Sequence, residues 1–233
     1  MNLAASQTQP VDTTVIIDTG CANLSSVRFA FERLNHQDRT DIIVTDDPTL
    51  IKSATRVVLP GVGSAGAAMA SLEQKQLIEV IKALTQPVLG VCLGMQMLTT
   101  LSSEGGSQAQ QCDCLDLIPT HITELDSQGA PLPHMGWNQI TPSSHPLFAD
   151  IDAGSYVYFV HSYRAPLSDY SIAQCQYGET FSAAIAKGNF MGVQFHPEKS
   201  ALIGAKILSN FLNMDSNTDL SAFTFFNSNE ANT

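Results

Sequence analysis

Short apolar runs alternate with helical patterns along the first hundred residues of the chain. Four of these runs predict buried strands, at Thr14–Asp18, Ile42–Val44, Val57–Leu59 and Gln86–Val91. Between them, apolar residues recur at helical spacing, which predicts helices over Asn23–Asn35 and Ser64–Leu84. Strands without polar alternation, separated by helices, indicate a parallel sheet that is covered on both faces.

The second half of the chain carries shorter strand patterns separated by turns. The predicted strands are Trp137–Ile140, Tyr156–Val160, Ile172–Cys175, Phe181–Ile185 and Gly192–Phe195, and a last helix covers Ala201–Leu212. We therefore predict an α/β fold with a mostly parallel, twisted central sheet, helices on both faces and a mixed or antiparallel extension. One domain should span residues 14–214, between a flexible arm at 1–13 and a polar, disordered tail at 215–233.

Composition and charge exclude several classes of function. The chain has 233 residues, 44% of them hydrophobic, and a formal net charge of −11. This acidic balance offers no basic surface for nucleic acid, and no apolar run is long enough for a membrane span. Five cysteines without a scaffold spacing indicate a reducing compartment, so we expect a cytoplasmic protein.

The segment Gly90-Val91-Cys92-Leu93-Gly94 is the strongest candidate for chemistry. A cysteine between glycines at a strand-to-helix turn is the thiol counterpart of a nucleophile elbow. The following helix directs its positive N-terminal end at the sulfur, which favours the thiolate. By itself, the pattern is equally compatible with a buried structural cysteine.

A second segment, His196-Pro197-Glu198, supplies the base and the orienting group that a cysteine nucleophile needs. In an extended segment, residues i and i+2 project to the same side, so Glu198 can hold one ring nitrogen of His196. Alone, the segment is better explained as a strand-end histidine beside a solvated glutamate. Together with Cys92, it favours a Cys-His-Glu triad.

Acyl transfer also requires donors for the developing oxyanion. The amide of Leu93, which follows the nucleophile, is in place by construction of the elbow. We expect the second donor to be Val62 or Gly63, in the glycine-rich loop Pro60–Gly63. The same loop could cradle a phosphate, but it lacks the nucleotide-binding glycine patterns.

The remaining cysteines and histidines form no further constellation. Cys112 and Cys114 could suggest a metal, but no second pair completes a four-ligand site, and we interpret both as loop thiols. We expect Cys21 and Cys175 to be core or near-core residues. His36, His121 and His145 are expected at the surface. No metal is predicted.

At this point the motifs resemble a known family. The Pro60–Gly63 loop, the Cys92 elbow and the stretch Gln194–Glu198 are together similar to class I triad glutamine amidotransferases. Three further stretches resemble the glutaminase subunits of imidazole glycerol phosphate synthase, an enzyme of histidine biosynthesis. They are Asp18–Leu24, Pro133–Asn138 and Tyr158–Tyr163.

The resemblance implies roles for single residues and for a partner. Cys92 attacks the side-chain amide of glutamine, His196 transfers protons and Glu198 orients His196. Further matches fall in two groups: substrate binding by Gln96, Glu104, Ser162 and Tyr163, and contact with the partner by Asn23, Trp137 and Tyr158. The implied partner is a cyclase subunit, a (β/α)₈ barrel that forms a heterodimer with this chain and receives the ammonia. No cofactor is implied.

Two other functions remain open on the sequence. The chain could serve another synthase, such as anthranilate or guanylate synthase, although the Pro133–Asn138 and Tyr158–Tyr163 stretches argue against it. It could also be a non-catalytic binding subunit on the same fold, against which the intact set of Cys92, His196 and Glu198 argues.

Overall fold

Thirteen strands and six α-helices occur in the computed structural model, which describes residues 12–20, 23–35, 40–104 and 111–220. In chain order the strands are β1 (Thr13–Ile17), β2 (Asp41–Thr45), β3 (Arg56–Gly61), β4 (Val88–Cys92), β5 (Thr99–Ser102), β6 (Cys112–Asp113), β7 (Ile118–Glu124), β8 (His134–Pro142), β9 (Ser155–His161), β10 (Tyr163–Arg164), β11 (Ser171–Tyr177), β12 (Glu179–Lys187) and β13 (Phe190–Val193). The helices are α1 (Leu24–Leu34), α2 (Pro48–Ser53), α3 (Ala65–Gln74), α4 (Ile78–Lys82), α5 (Leu93–Met97) and α6 (Ala201–Leu212).

Nine of the described strands form the central sheet, in the order β2-β1-β3-β4-β13-β12-β11-β8-β9. The first five are parallel to one another, and the next four continue the sheet in antiparallel pairs. The predicted α/β architecture, with a parallel sheet and an antiparallel extension, is confirmed.

Both faces of the parallel strands are buried, because alternate residues pack on different helices. Ile16 and Val58 contact the cluster that contains α1 and α6. Val15 and Val57 contact the opposite cluster, which contains residues of α2, α3, α4 and α5. This explains why the strands are continuous apolar runs. No helix in the described part of the chain is long and apolar enough to cross a membrane.

A second, four-stranded sheet in the order β10-β7-β5-β6 was not predicted. It accounts for one wrong interpretation, that of Cys112 and Cys114 as loop thiols. Cys112 lies in β6, paired with Ser102 of β5, and Cys114 is buried. Burial raises the pKa of the Cys114 thiol to about 12, which leaves it protonated.

Two other expectations also need correction. The helix predicted over Ser64–Leu84 is interrupted, since α3 and α4 are separated by a turn in which Gln76 has a φ of 56°. His145 is buried and not at the surface, because its Nδ1 accepts the amide of Leu147 and caps a short 3₁₀ helix. His121 is exposed as expected. Cys175 is buried as expected, whereas Cys21 and His36 lie outside the described residues.

The two ends of the predicted domain meet at Arg56. Its buried guanidinium donates to both carboxylate oxygens of Asp12, at 2.7 and 2.9 Å, and to the carbonyl of Met214 at 2.6 Å. Ordered structure therefore already includes residues 12 and 13. Residues 1–11 and 221–233 lie outside the described part, so the arm, the tail and the exact domain limits stay predictions.

The turn at Cys92 requires a very close approach of three elements. Cys92 has φ 54° and ψ −111°, a conformation that side chains rarely adopt. A Cβ built on Gly94 would lie 1.8 Å from the carbonyl oxygen of Leu59 in β3, and one on Gly90 would lie 2.7 Å from the backbone of Gly94. Glycine at both positions is therefore a steric requirement of the turn.

Besides His196, three histidines are buried in the described part of the fold, namely His134, His145 and His161. Burial disfavours the imidazolium, so the pKa falls to about 4 for His134 and His145 and to about 3 for His161. All three rings are therefore neutral in the folded protein at neutral pH.

Replacing Gly94 by alanine should destabilise the protein by about 3 kcal/mol or more, because the new methyl group overlaps the Leu59 carbonyl. Gly66 in α3 is the matched control, since a Cβ there meets nothing within 4 Å. Gly66→Ala should be neutral or stabilise by roughly 0.5–1 kcal/mol. Urea denaturation of both variants checks this, and equal stability would contradict the close approach.

The neutral histidines also predict that stability falls in mild acid. Their lowered pKa values mean that the unfolded chain binds protons below pH 6.5 that the folded chain does not. Between pH 7 and 5.5 the free energy of unfolding should drop by roughly 1 kcal/mol for each histidine. His145→Asn keeps an acceptor for Leu147 and should reduce the drop by the share of one histidine, roughly 1 kcal/mol. Urea titrations at both pH values measure it, and a flat profile would refute it.

Candidate active site

Cys92 lies at the carboxyl end of β4, in the middle of the parallel strands. Its neighbours on the two sides are β3, which leads into Val62 and Gly63, and β13, which leads into His196. Parallel strands place their following loops at one edge of the sheet, where α/β folds bind ligands. The topology thus brings the three predicted motifs together.

His196 is hydrogen-bonded to Glu198 and interacts with Cys92. Its Nδ1 lies 2.8 Å from Oε1 of Glu198, which leaves Nε2 for the interaction with the side chain of Cys92. The segment is not fully extended as predicted, because Pro197–Lys199 forms one turn of 3₁₀ helix. The carboxylate nevertheless reaches the imidazole, since the turn follows directly on the histidine.

The charges around His196 favour its protonated form. Burial acts against the imidazolium, but the hydrogen bonds and charges of Cys92 and Glu198 together outweigh it and raise the pKa of His196 to about 10. The site therefore holds a proton that can be given to a leaving group.

A cavity of about 250 Å³ opens in front of Cys92. Its wall includes all of the predicted oxyanion and substrate-binding residues, namely Val62, Gly63, Leu93, Gln96, Glu104, Ser162 and Tyr163. Val160, His161, His196 and Lys199 complete the lining. The structure thus brings the predicted site residues into one pocket, which a small polar molecule can fill.

The two predicted sources of oxyanion donors differ in structure. Leu93 is the first residue of α5, where amides have no partner within the helix. Val62 is 44% exposed, and Gly63 has a φ of 93°, which favours glycine. The Val62–Gly63 peptide is therefore less constrained by packing than the Leu93 amide.

Gln96 belongs to a buried amide network that includes a residue we did not predict. Its Nε2 donates to Oε1 of Gln194 at 2.9 Å and to the carbonyl of Tyr163 at 3.3 Å. Gln194 in turn directs its Nε2 at the sulfur of Cys92, at 3.9 Å. The sequence signal was a glutamine at the end of an otherwise apolar strand.

Glu104 contacts the cavity and also the loop that precedes α3. Its Oε2 accepts the amide of Ala65, the first residue of α3, at 2.7 Å. Because a carboxylate accepts several hydrogen bonds, its other oxygen can still pair with an ammonium group. Glu104 therefore connects the pocket to the segment that follows Gly63.

The predicted partner residues lie near the site but differ in exposure. Trp137 is 51% exposed, Asn23 caps α1 and is exposed, and Tyr158 is half-buried. Trp137 and Tyr158 are paired across β8 and β9, with their rings 5.9 Å apart. Lys199, which we did not predict, places its ammonium 6.0 Å from the ring centre of Tyr158.

No group of three or more histidine, cysteine, aspartate or glutamate side chains within the described ranges could hold a metal ion. The arrangement therefore offers nucleophilic chemistry by Cys92, proton transfer by His196 and a pocket with a carboxylate at its wall.

Comparisons with known proteins agree with this chemistry. The family model described as "Glutamine amidotransferase class-I" matches residues 15–214. The imidazole glycerol phosphate synthase subunit HisH of Shewanella sediminis is 72% identical over 207 residues, which cover 89% of this chain and 93% of that protein. The HisH subunit of Shewanella oneidensis is 70% identical over 214 residues, which cover 86% and 95%.

A solved structure shows the same fold at low identity. A glutamine amidotransferase from Thermotoga maritima matches with a TM-score of 0.59 at 19% identity, over 82% of this chain and 77% of that chain. The predicted class I amidotransferase fold is thereby confirmed. The chain belongs to the class I glutamine amidotransferases and, within them, to the HisH subunits of imidazole glycerol phosphate synthase.

Proposed function

We infer that this chain hydrolyses glutamine to glutamate and ammonia as the glutaminase subunit of imidazole glycerol phosphate synthase. The observation that carries this inference is the position of Cys92 and His196 together in the wall of the cavity, with Glu198 hydrogen-bonded to His196, in a chain of the HisH family. A non-catalytic subunit would have no need for this arrangement. Membership of the HisH family argues against service to another synthase.

The reaction proceeds in two halves. The sulfur of Cys92 attacks the side-chain amide carbon of glutamine and forms a tetrahedral intermediate. His196 gives its proton to the departing nitrogen, ammonia leaves and a γ-glutamyl thioester remains. His196 then takes a proton from water and the hydroxide attacks the thioester carbon. The C–S bond breaks, glutamate leaves, and Cys92 is left as a free thiolate beside the protonated His196. Glu198 orients the imidazole throughout.

The oxyanion of both tetrahedral intermediates is stabilised by the amide of Leu93 and by a second amide at Val62 or Gly63. Each such donor is typically worth roughly 10²–10³ in rate. The position of all three residues in the cavity wall supports this assignment.

The amino-acid end of glutamine is held at the other side of the cavity. Glu104 pairs with the α-ammonium group in a charge-assisted contact. Gln96, Ser162 and Tyr163 position the rest of the substrate. Their common place in the lining of one cavity supports this assignment.

The name of the relatives implies a partner subunit. We propose that it is a cyclase with a (β/α)₈ barrel, which docks as a heterodimer on Asn23, Trp137 and Tyr158. Half-exposed aromatic residues are common anchors of interfaces. Ammonia then passes to the cyclase, which converts a ribulosyl-type nucleotide into imidazole glycerol phosphate and aminoimidazole carboxamide ribotide.

Free thiols at the four described cysteines support a reducing, cytoplasmic setting.

Replacing Cys92 by alanine should abolish glutamine hydrolysis, because the nucleophile is lost. Partner binding should persist, since the proposed contacts at Asn23, Trp137 and Tyr158 are unchanged. The synthase reaction should also persist when ammonia is supplied at alkaline pH, as only its delivery is removed. Glutamate release and cyclase product formation measure the two activities, and near wild-type glutamate release would refute the assignment.

The isolated chain should be a poor glutaminase that its partner activates by roughly 10²–10³, the worth of one oxyanion donor. The physical reason is the Val62–Gly63 peptide, which glycine allows to rotate and which docking can fix in one orientation. Glutamate release is compared for the free chain, the complex, and the complex with its nucleotide substrate. A free chain as fast as the liganded complex would contradict this gating.

A further inference from the structure

Two buried histidines connect the partner-facing strand β8 to the wall of the cavity. Nδ1 of His134 lies 3.0 Å from Nε2 of His161, and Nδ1 of His161 lies 2.9 Å from the carbonyl of Tyr163. At the other end, Nδ2 of Asn138 lies 3.3 Å from Nε2 of His134. The two histidine residues are only 3% and 6% exposed. The contacts between them are therefore largely shielded from solvent.

The contacts from Asn138 through His134 and His161 to Tyr163 form a series of hydrogen bonds. The direction of each bond follows from the chemistry of the two end groups. The Tyr163 carbonyl can only accept, so Nδ1 of His161 carries a proton. The amide nitrogen of Asn138 can only donate, so Nε2 of His134 accepts. A histidine that accepts at Nε2 must carry its proton at Nδ1. His134 therefore donates from Nδ1, and Nε2 of His161 accepts.

The orientation of the Asn138 amide is fixed independently. Its Nδ2 also donates to the carbonyl of Gln176 at 2.9 Å, and its Oδ1 accepts the amide of Gln139 at 2.8 Å. If the Asn138 amide were flipped, its oxygen would face the carbonyl of Gln176 and its nitrogen would face the N–H of Gln139. Neither pair could then form a hydrogen bond. The starting donor of the series is thus determined.

Both rings must therefore be neutral and protonated at Nδ1. A charged His161 would donate from both nitrogens, and His134 would then have to accept at both, which a neutral ring cannot do. Burial keeps the rings neutral, and the nearby His196 also disfavours a charge on His161. Chemistry and geometry agree on one protonation state.

Aromatic packing holds the first ring in place. His134 lies between Phe159 and Tyr177, with ring centres 4.8 and 4.0 Å away and interplanar angles of 22° and 20°. The ring can hardly rotate or tilt, so its two nitrogens point in fixed directions. A small displacement of β8 is therefore transmitted to His161.

At the other end, the series meets the amide network of the site. The Tyr163 carbonyl accepts from His161 and also from Gln96, whose second proton goes to Gln194. Ser162 lies between His161 and Tyr163 and lines the cavity. The histidine pair thus determines the backbone conformation of this part of the wall.

We propose that His134 and His161 are a neutral positioning pair, which fixes the Ser162–Tyr163 wall of the glutamine cavity relative to strand β8. They do not touch the reacting atoms in this role. The protonation states follow from the hydrogen bonds alone, whereas the effect on glutamine rests on the proposed function.

The first test is NMR of the full-length wild-type chain with ¹⁵N-labelled histidines. Both rings should be neutral Nδ1–H tautomers at pH 7 and remain neutral at pH 5.5. An Nε2–H tautomer of either ring, or an imidazolium at pH 5.5, would overturn the proposal. This measurement does not depend on any catalytic activity. Its outcome therefore tests the protonation state of the histidine pair independently of the proposed glutaminase function.

The second test measures glutamine kinetics of the complex with the partner subunit. His134→Phe keeps the stacking but removes both hydrogen bonds, and should raise KM for glutamine about tenfold with a smaller change in kcat. His161→Asn keeps a donor at the Nδ1 position for the Tyr163 carbonyl. It should therefore retain most of the affinity for glutamine that His161→Leu loses. Ammonia-dependent synthesis should not change in any of these variants.

The control is His121→Phe, an exposed histidine of the second sheet, which should leave both activities unchanged. A folded His134→Phe protein with wild-type KM would show that the pair does not position the cavity. Equal KM values for His161→Asn and His161→Leu would show that the hydrogen bond to the Tyr163 carbonyl does not position the cavity.

Discussion

The site depends on one steric fact, the contact between the backbone of Gly94 and the carbonyl of Leu59. Because no side chain separates them, α5 can begin directly above the end of β3, and β4 must turn sharply at Cys92. The left-handed φ of Cys92 is the consequence, and it costs on the order of 1–3 kcal/mol. The turn persists because β4 is held between β3 and β13 in the buried centre of the sheet.

The parts of the fold that could be predicted are those in which the apolar pattern is unambiguous. The strands around Val15, Val57 and Val88 are buried on both faces, so their sequence is a continuous apolar run. The second sheet was missed because β5 begins two residues after α5 ends, with no turn residue between them. Its strand β7 does alternate, with Ile118 and Ile122 buried, but Pro119 and polar residues within the strand interrupt the apolar run.

The site could be predicted where the chemistry itself demands certain residues at a fixed spacing. A nucleophile, its base and an orienting carboxylate are recognisable in this way, whereas positioning groups are not. His161 is buried at the end of β9, and Gln194 is buried directly after β13. Only their contacts in three dimensions connect them to the site. His145 was misplaced for the same reason, because its partner is a backbone amide that no pattern indicates.

Strand β9, which carries Tyr158, is also hydrogen-bonded to the segment that bears His196. The amide of His196 donates to the carbonyl of Tyr158 at 2.8 Å, and the amide of Tyr158 donates to Oγ of Ser200. That hydroxyl donates to the carbonyl of His196, which closes the connection. A force on the ring of Tyr158 or Trp137 is therefore transmitted through two strands, β8 and β9, to the segment that bears His196. A partner that docks on these aromatic residues, as proposed, would therefore act on the same backbone that positions His196.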